Sequence, residues 1–336
     1  MGLGLTLCLG LGCGKPLKKT SAVEAREAST EGVTKVEIRN TTGKIDVLSM
    51  RSLHPRFKVT ATRWARAPGG DKSKAALKRV TMRIYRSGAT AIVVIKQPAD
   101  SGKTTHGADL RLLLPAELDV DVDNRKGDVR VMGMTGRVAV RIVHGTIEAR
   151  GLGGHIQAST KRGSIVASGQ VRSFDLRSDR GKVKVHLRGF DHLAEASSVR
   201  AGRGDVLVSL SRNFNAHLSA RASGGKISLP FKGLKTVGET RTGTLGKGGK
   251  LLSLRADHGS IVMLARTYSR TRYMPQSRPE GSRVYRPETT GKGHGHGHGH
   301  GHGMHRRGLP PHPRLRGAMG PAESMPAMTA PPAKAP

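Results

Sequence analysis

Apolar and polar residues alternate through the middle of the chain, and glycine interrupts the alternation at regular intervals. After Gly127 come Val129 and Val131, then Val138, Val140 and Ile142; after Gly145 come Ile147 and Ala149, then Ile156, Ala158 and Thr160. After Gly163 come Ile165 and Ala167, then Phe174 and Leu176. The intervening positions are Arg, Lys, Glu, Gln and Ser, which suit water. A period of two with one apolar face specifies β-strand, and two short strands fit each interval. Gly127, Gly145, Gly163 and Gly181 stand 18 residues apart, each opening a Gly-x-apolar phrase. Looser copies follow at Gly204, Gly225, Gly243 and Gly259. The wider intervals predict corner insertions around residues 191–199 and 213–214.

One two-strand unit cannot bury its own apolar face. Stacking each unit on the next, about 4.8 Å away, pairs the strands in parallel and builds a continuous core. The repeated glycine then supplies the left-handed backbone that a sharp corner needs. The pattern predicts an all-β chain: a parallel β-solenoid with coils of about 18 residues. A less regular β-rich section precedes it, with candidate strands beginning at Val36, Lys44, Phe57, Val80, Ala91 and Leu110. Asn40-Thr-Thr-Gly43-Lys-Ile-Asp-Val already matches Asn124-Arg-Lys-Gly127-Asp-Val-Arg-Val, so this section reads as an elaborated start of the same structure, able to cover an exposed edge. No amphipathic helix of convincing length is visible.

The two ends differ from this body. Residues 1–12 are a short apolar run, too short to span a membrane and suited to a secretory signal. Gly12 directly before Cys13 resembles a bacterial lipoprotein processing site, with Cys13 as the lipidated residue. The match lacks a basic residue before the run, and Gly10 stands where such sites carry Leu. The start also fits a myristoylation pattern, Met1-Gly2-x-x-x-Thr6, and an ordinary buried first strand is the third reading. Export with Cys13 acylated leaves no disulfide in the mature body, since Cys8 departs with the leader. The division that follows is 1–12 signal, 13–32 linker, 33–122 N-terminal β-rich section, 123–270 solenoid repeats and 271–336 tail. The tail is rich in Pro, Gly, His and Arg without periodicity, a composition that predicts disorder.

Within the tail, His294, His296, His298, His300 and His302 alternate with glycine. Imidazoles at this density, on a backbone free to wrap an ion, predict affinity for Zn²⁺, Ni²⁺ or Cu²⁺; no cofactor is required by anything else in the chain. The alternative is a low-complexity tail with incidental affinity.

Charge changes the picture of the body. The formal net charge is +34, and the tail, with 10 basic and 3 acidic residues, holds only +7 of it. The body is therefore strongly attractive to polyanions: acidic polysaccharide, lipopolysaccharide phosphate, extracellular DNA or an anionic membrane surface. The plainer reading is that outward strand positions need only be polar. Nucleic acid is the least favoured partner, because no recognition helix, zinc module or aromatic RNA-binding signature is present. Oligomeric state is not legible.

An enzyme of β-helix type needs carboxylates converging on one groove. Here the acids do not stack: Asp175 falls one period after Gln157, and Asp179 one period after Lys161. Asp128 and Asp205 follow corner glycines, where other repeats place Thr146, Ser164, Lys182 and Lys226, a tolerant turn position. Three short motifs also fail on context. Gly102-Lys103-Thr104 has Gln97 where the first glycine of a phosphate loop belongs. Arg203-Gly204-Asp205 is a repeat corner rather than an integrin ligand, and Asn40-Thr-Thr matters as a glycan acceptor only in a eukaryotic secretory pathway. No catalytic residue is predicted.

The leading Asn40-x-x-Gly43-x-Ile-x-Val strand, the Leu112-Leu-Leu-Pro115 strand end and the Gly127-Asp-Val-Arg-Val repeats, in that order, resemble a bacterial adhesin-like family of unknown function over residues 33–264. The resemblance implies a cell-envelope location, no established ligand and no catalytic residues. The heavy Arg content and the His-Gly tail depart from that family's pattern. The expected protein is a non-catalytic, exported, lipid-anchored binding or scaffolding module. The alternatives are a metal-buffering envelope protein acting through its tail and, less favoured, a polysaccharide-active enzyme.

Overall fold

A computed structural model describes residues 17–50, 56–99, 103–189 and 191–267, all within one compact unit. Among them the chain is all-β apart from one short helix. The first elements are β1 Leu17–Ser29, β2 Lys35–Thr42, β3 Ile45–Met50, β4 Arg56–Pro68, α1 Gly70–Lys78, β5 Thr81–Ser87, β6 Thr90–Lys96 and β7 Thr105–Pro115. The periodic middle forms β8 Asp119–Lys126, β9 Val129–Met132, β10 Val138–His144, β11 Ile147–Leu152, β12 His155–Arg162, β13 Ile165–Gly169, β14 Ser173–Arg180 and β15 Val183–Leu187. The last are β16 Ser197–Arg203, β17 Val206–Ser211, β18 Ala216–Ala222, β19 Ile227–Ser228, β20 Lys235–Val237, β21 Thr240–Leu245, β22 Leu251–His258 and β23 Ile261–Arg266.

Two large, mostly parallel sheets result, and neither closes into a barrel. Sheet I runs β1-β4-β7-β3-β9-β11-β13-β15-β17-β23-β19; sheet II runs β20-β21-β18-β22-β16-β14-β12-β10-β8-β2-β6-β5. Each coil contributes one strand to sheet II and, after its glycine corner, one to sheet I. Val138 pairs with Ile156 and Ile156 with Phe174, so the 18-residue period is the sheet register itself. The alternate residues Val138, Val140 and Ile142, then Ile156 and Ala158, then Phe174 and Leu176 all enter one buried cluster shared by both sheets. Burying such a side chain is worth about 1.5–3 kcal/mol, which is how each coil is held to the next.

The corners explain why glycine recurs once per coil. At Gly163 φ is +147°, and an added Cβ would lie 1.8 Å from the Gly145 carbonyl oxygen of the coil before. Three residues before several corners, a buried polar side chain reaches the preceding corner. The Asn124 amide donates to the Gly43 carbonyl (2.9 Å), and the Ser178 hydroxyl donates to the Gly163 carbonyl (2.8 Å). These bonds satisfy carbonyls that the turn would otherwise leave without a partner.

Several expectations are corrected. The span 13–32 is not simply a linker: β1 is 13 residues long and pairs antiparallel with β4 along its whole length. It is held edge-to-edge by backbone pairing and none of its side chains is buried, so no strong apolar alternation marks it in the sequence. Helix α1 interrupts the section that reads as strand throughout; it opens at Gly69-Gly70 with Asp71 in its first turn and Lys78 in its last, as the helix dipole favours. Gly243 is not a corner, because it lies inside β21, opposite Leu218 of an antiparallel pair.

The coils also do not stack in chain order at either end. β6–β7 lies outside β2–β3, and β22–β23 inserts between β16–β17 and β18–β19. The chain lays down its end coil, makes the antiparallel β20–β21 excursion, and returns one place inward. Gly259 therefore stacks on Gly204, and Gly225 on Gly259. Antiparallel β1 and β4 in sheet I, β5 in sheet II, and β20–β21 in sheet II cover three of the four parallel edges that would otherwise template aggregation; the two-residue β19 ends sheet I at the fourth. Asn40 is buried, and its amide donates to the Ala108 carbonyl, so it is not a glycan acceptor in this fold.

Candidate functional site

Parallel register converts sequence periodicity into rows of side chains running across the strands. The outward row at the centre of sheet II contains Arg141, Ser159, Arg177, Arg200, Arg255 and Arg221 on neighbouring strands. These arginines carry their own counter-charges. Arg141 meets Asp121 at 2.9 Å, Arg177 meets Asp179 at 3.3 Å, and Arg200 meets Asp257 at 3.0 Å. Arg255 also meets Asp257 (2.6 Å), and Arg221 meets Glu239 (3.7 Å). The Arg255 and Arg200 guanidiniums hold the Asp257 carboxyl below the usual carboxylate range.

A second row stands at the corner, on the residue directly before each repeat glycine. It comprises Lys126, His144, Arg162, Arg180, Arg203 and His258 on six adjacent strands, β8 to β16 and then β22. At about 4.8 Å per strand the row is about 24 Å long. All but the half-buried His144 are exposed. Among the described residues Lys126, Arg162, Arg180 and Arg203 have no carboxylate partner. The acids nearby are already engaged. Asp179 is held by Arg177; Asp128, across the corner, accepts the Thr146 N–H at 2.8 Å. Asp205 accepts the Ser260 N–H (3.1 Å) and meets Lys182 (3.1 Å), and both contacts lower its pKa, the backbone one more.

The backbone of this row is fixed. The carbonyls of His144, Arg162, Arg180, Arg203 and His258 accept the N–H of Gly127, Gly145, Gly163, Gly181 and Gly204 at 2.8–3.0 Å. The N–H groups of these five corner glycines are thereby engaged, so recognition along them falls to long, flexible cationic side chains on a fixed backbone.

Among the described residues, an arrangement that resembles catalytic chemistry is a cleft of about 480 Å³ lined by Arg137, His155, Gln157, Ser173, Asp175 and Glu195. His155 Nδ1 lies 2.6 Å from Ser173 Oγ and 3.4 Å from Glu195 Oε2, and Ser173 donates to Glu195 at 3.3 Å. A working triad needs the acid on one ring nitrogen and the nucleophile on the other. Here both partners crowd the same nitrogen, so the imidazole cannot be oriented by one while it deprotonates the other. Ser173 is also buried. Asp175 does not stack on another acid, since it pairs in register with Gln157 and Ser198; Asp46, Asp128 and Glu148 do share a second pocket, where Lys44 and Arg130 stand among them and Arg130 binds Glu148 at 2.8 Å.

Sequence reading treated the position after each corner glycine as a tolerant turn slot. The structure gives it a role where it is Asp, since Asp128 and Asp205 each accept a backbone N–H of the neighbouring coil. The corner row itself was missed, although its signal is in the sequence: Lys126-Gly127, His144-Gly145, Arg162-Gly163, Arg180-Gly181, Arg203-Gly204 and His258-Gly259. Cys13 and His294, His296, His298, His300 and His302 lie outside the described residues. Among the described residues no group of three His, Cys, Asp or Glu side chains is placed to hold a metal, and no helix is long and apolar enough to cross a membrane.

No family model and no curated protein matches the chain. Among solved structures it is similar to a candidate cell-adhesion protein from Clostridium sporogenes, at 11% identity over 74% of this chain and 100% of that one, with a TM-score of 0.34. It is also similar to a candidate adhesin from Bacteroides fragilis, at 12% identity over 72% and 97% of the two chains, TM-score 0.36. A third structure, described as a candidate lipid-binding protein from Parabacteroides distasonis, shares 11% identity over 73% and 95%, TM-score 0.27.

Proposed function

We propose that this chain is a non-catalytic binding or scaffolding module of the bacterial cell envelope, an adhesin-like β-solenoid whose basic surface holds anionic polymers or membrane phosphates. The observation that carries the reading is the contrast between two cation rows on one sheet. The central arginines each meet a carboxylate of the fold, whereas Lys126, Arg162, Arg180 and Arg203 stand exposed with no carboxylate partner among the described residues. Surface ion pairs contribute little to stability, so nothing in folding requires uncompensated charges to be lined up at one corner. External anions gain from them. The His155–Ser173–Glu195 geometry supports the non-catalytic half of the proposal.

Anchoring through Cys13 after export, with removal of residues 1–12, belongs to the same proposal and rests on the sequence. So does a separate chelating role for His294, His296, His298, His300 and His302 toward Zn²⁺, Ni²⁺ or Cu²⁺. The test of the main reading is retention of the full chain on an immobilised acidic polysaccharide and on anionic vesicles across a salt gradient. Retention that falls steeply with salt supports it. Failure to bind either surface at 50 mM salt rejects it. Intact mass from the native bacterium tests the anchor, and calorimetric titration with Zn²⁺ at pH 7.5 tests the tail.

A further inference from the structure

The proposed polyanion binding leaves open whether the ligand is a line or a plane of charge. We infer that it is a linear polyacid, laid across the strands along the corner row from Lys126 to His258 and contributing about one acidic group per coil. The inference rests on the binding reading above and deepens it.

Three observations point to a line. The row is one residue wide, because the next residue on the strand side is not consistently basic: Arg125, Val143, Lys161, Asp179, Gly202 and Asp257 flank it. Across the corner stand Asp128, Thr146, Ser164, Lys182, Asp205 and Ser260, again of mixed charge. A sheet of lipid phosphates would meet those carboxylates, whereas a single chain following the row avoids them. Second, the row positions repeat at the strand spacing of about 4.8 Å set by parallel pairing, so Arg162, Arg180 and Arg203 follow one another at that spacing and Lys126 stands two strands from Arg162, beyond His144. A polymer with one carboxylate per pyranose unit has a repeat of the same order. Third, the carbonyl of every row residue after Lys126 is bonded to a corner glycine, so the spacing is preset and binding need not order any backbone.

Four unpaired cations give a worked expectation. If each displaces counterions as at other polyelectrolytes, the slope of log affinity against log salt is about −0.7 to −0.9 per contact. Raising salt from about 50 to 200 mM then weakens binding on the order of 50–150-fold. With Arg162, Arg180 and Arg203 replaced, one contact remains and the same change costs only about threefold.

The experiment uses the full chain, polygalacturonate fragments of graded length and phosphatidylglycerol vesicles, with binding followed by calorimetry at several salt concentrations. The Arg162→Gln, Arg180→Gln, Arg203→Gln variant is compared with Arg141→Gln, Arg177→Gln, Arg221→Gln, which removes equal charge from the neutralised row. Circular dichroism confirms that both remain folded. The expected result is affinity that rises with length up to about six sugar units, the number of strands in the row, a salt slope lowered by about 2–3 in the first variant, and little change in the second. Polymer binding that both variants lose equally, or that neither loses, overturns the row while leaving polyanion binding standing. Vesicle binding without polymer binding overturns the linear ligand in favour of membrane phosphate. Binding to neither probe by the unaltered chain removes this inference and the reading beneath it together.

Discussion

Gly163→Ala tests the stacking of corners most directly. The new Cβ would lie 1.8 Å from the Gly145 carbonyl oxygen and 2.6 Å from its carbon, both backbone atoms of the coil before. The φ of +147° is itself unfavourable for alanine and costs about 1–3 kcal/mol. Relief requires the two coils to separate by roughly 1 Å at the corner, a distance that removes dispersion contacts and stretches hydrogen bonds. The bonds at risk are Gly145 N–H to the Arg162 carbonyl (3.0 Å), Ile147 N–H to the Ser164 carbonyl (2.9 Å) and the Ser178 hydroxyl to the Gly163 carbonyl (2.8 Å). At about 1 kcal/mol each, losing one or two brings the total to about 2–5 kcal/mol. For a body of this size that lowers Tm on the order of 10 °C. Gly238→Ala is the control, because its φ of +55° is also left-handed but no atom lies within 4 Å of the added Cβ. It should cost about 1–2 kcal/mol. Thermal unfolding followed by circular dichroism separates the two, and equal Tm values for both variants would refute close corner stacking as the source of the glycine period.

Other consequences can be measured alongside. Ser178→Ala leaves the Gly163 carbonyl without its side-chain donor and should cost about 1 kcal/mol in denaturant unfolding, while Ser178→Thr, the residue type at the equivalent Thr160, should cost less. Gly107→Ala would place a Cβ 2.1 Å from the ring of Trp64, the sole tryptophan, which also lies beside Lys19 and Arg66; displacing the ring should shift its fluorescence, and an unchanged spectrum would count against the packing. The carboxyls of Asp257, Asp205 and Glu148 titrate below their ordinary values, held chiefly by Arg255, the Ser260 N–H and Arg130 respectively. A depressed folded-state pKa gives stability that is full above the unfolded value and is lost as pH falls through the folded one. Stability should therefore decline below about pH 4, and Asp257→Asn should flatten the acid limb of a Tm–pH profile rather than its neutral region. His155→Ala should leave Tm and polyanion binding nearly unchanged.

Much of this architecture was legible because its signals are local. A period of two names the strands, a period of 18 names the register, and Val138, Ile156 and Phe174 fall on the inward face by counting alone. Even the corner row was within reach, since a basic residue precedes six repeat glycines. What the sequence could not show is which cations keep their charge. Arg177 and Arg180 lie three residues apart and look alike in the chain, yet one meets Asp179 and the other meets no carboxylate among the described residues.

The sequence by itself determined the repeat, the alternation of faces and the positive charge. Each follows from covalent spacing and strand geometry within one or two coils. Tertiary structure alone decided the order of the coils at the ends, the capture of β1 by β4, and the place of β22–β23 inside β18–β19. Those choices join residues far apart in the chain, where the gain is shared burial and paired edges rather than any local preference. The same long-range pairing brings Arg203 beside His258, 55 residues later, and so completes the cationic row.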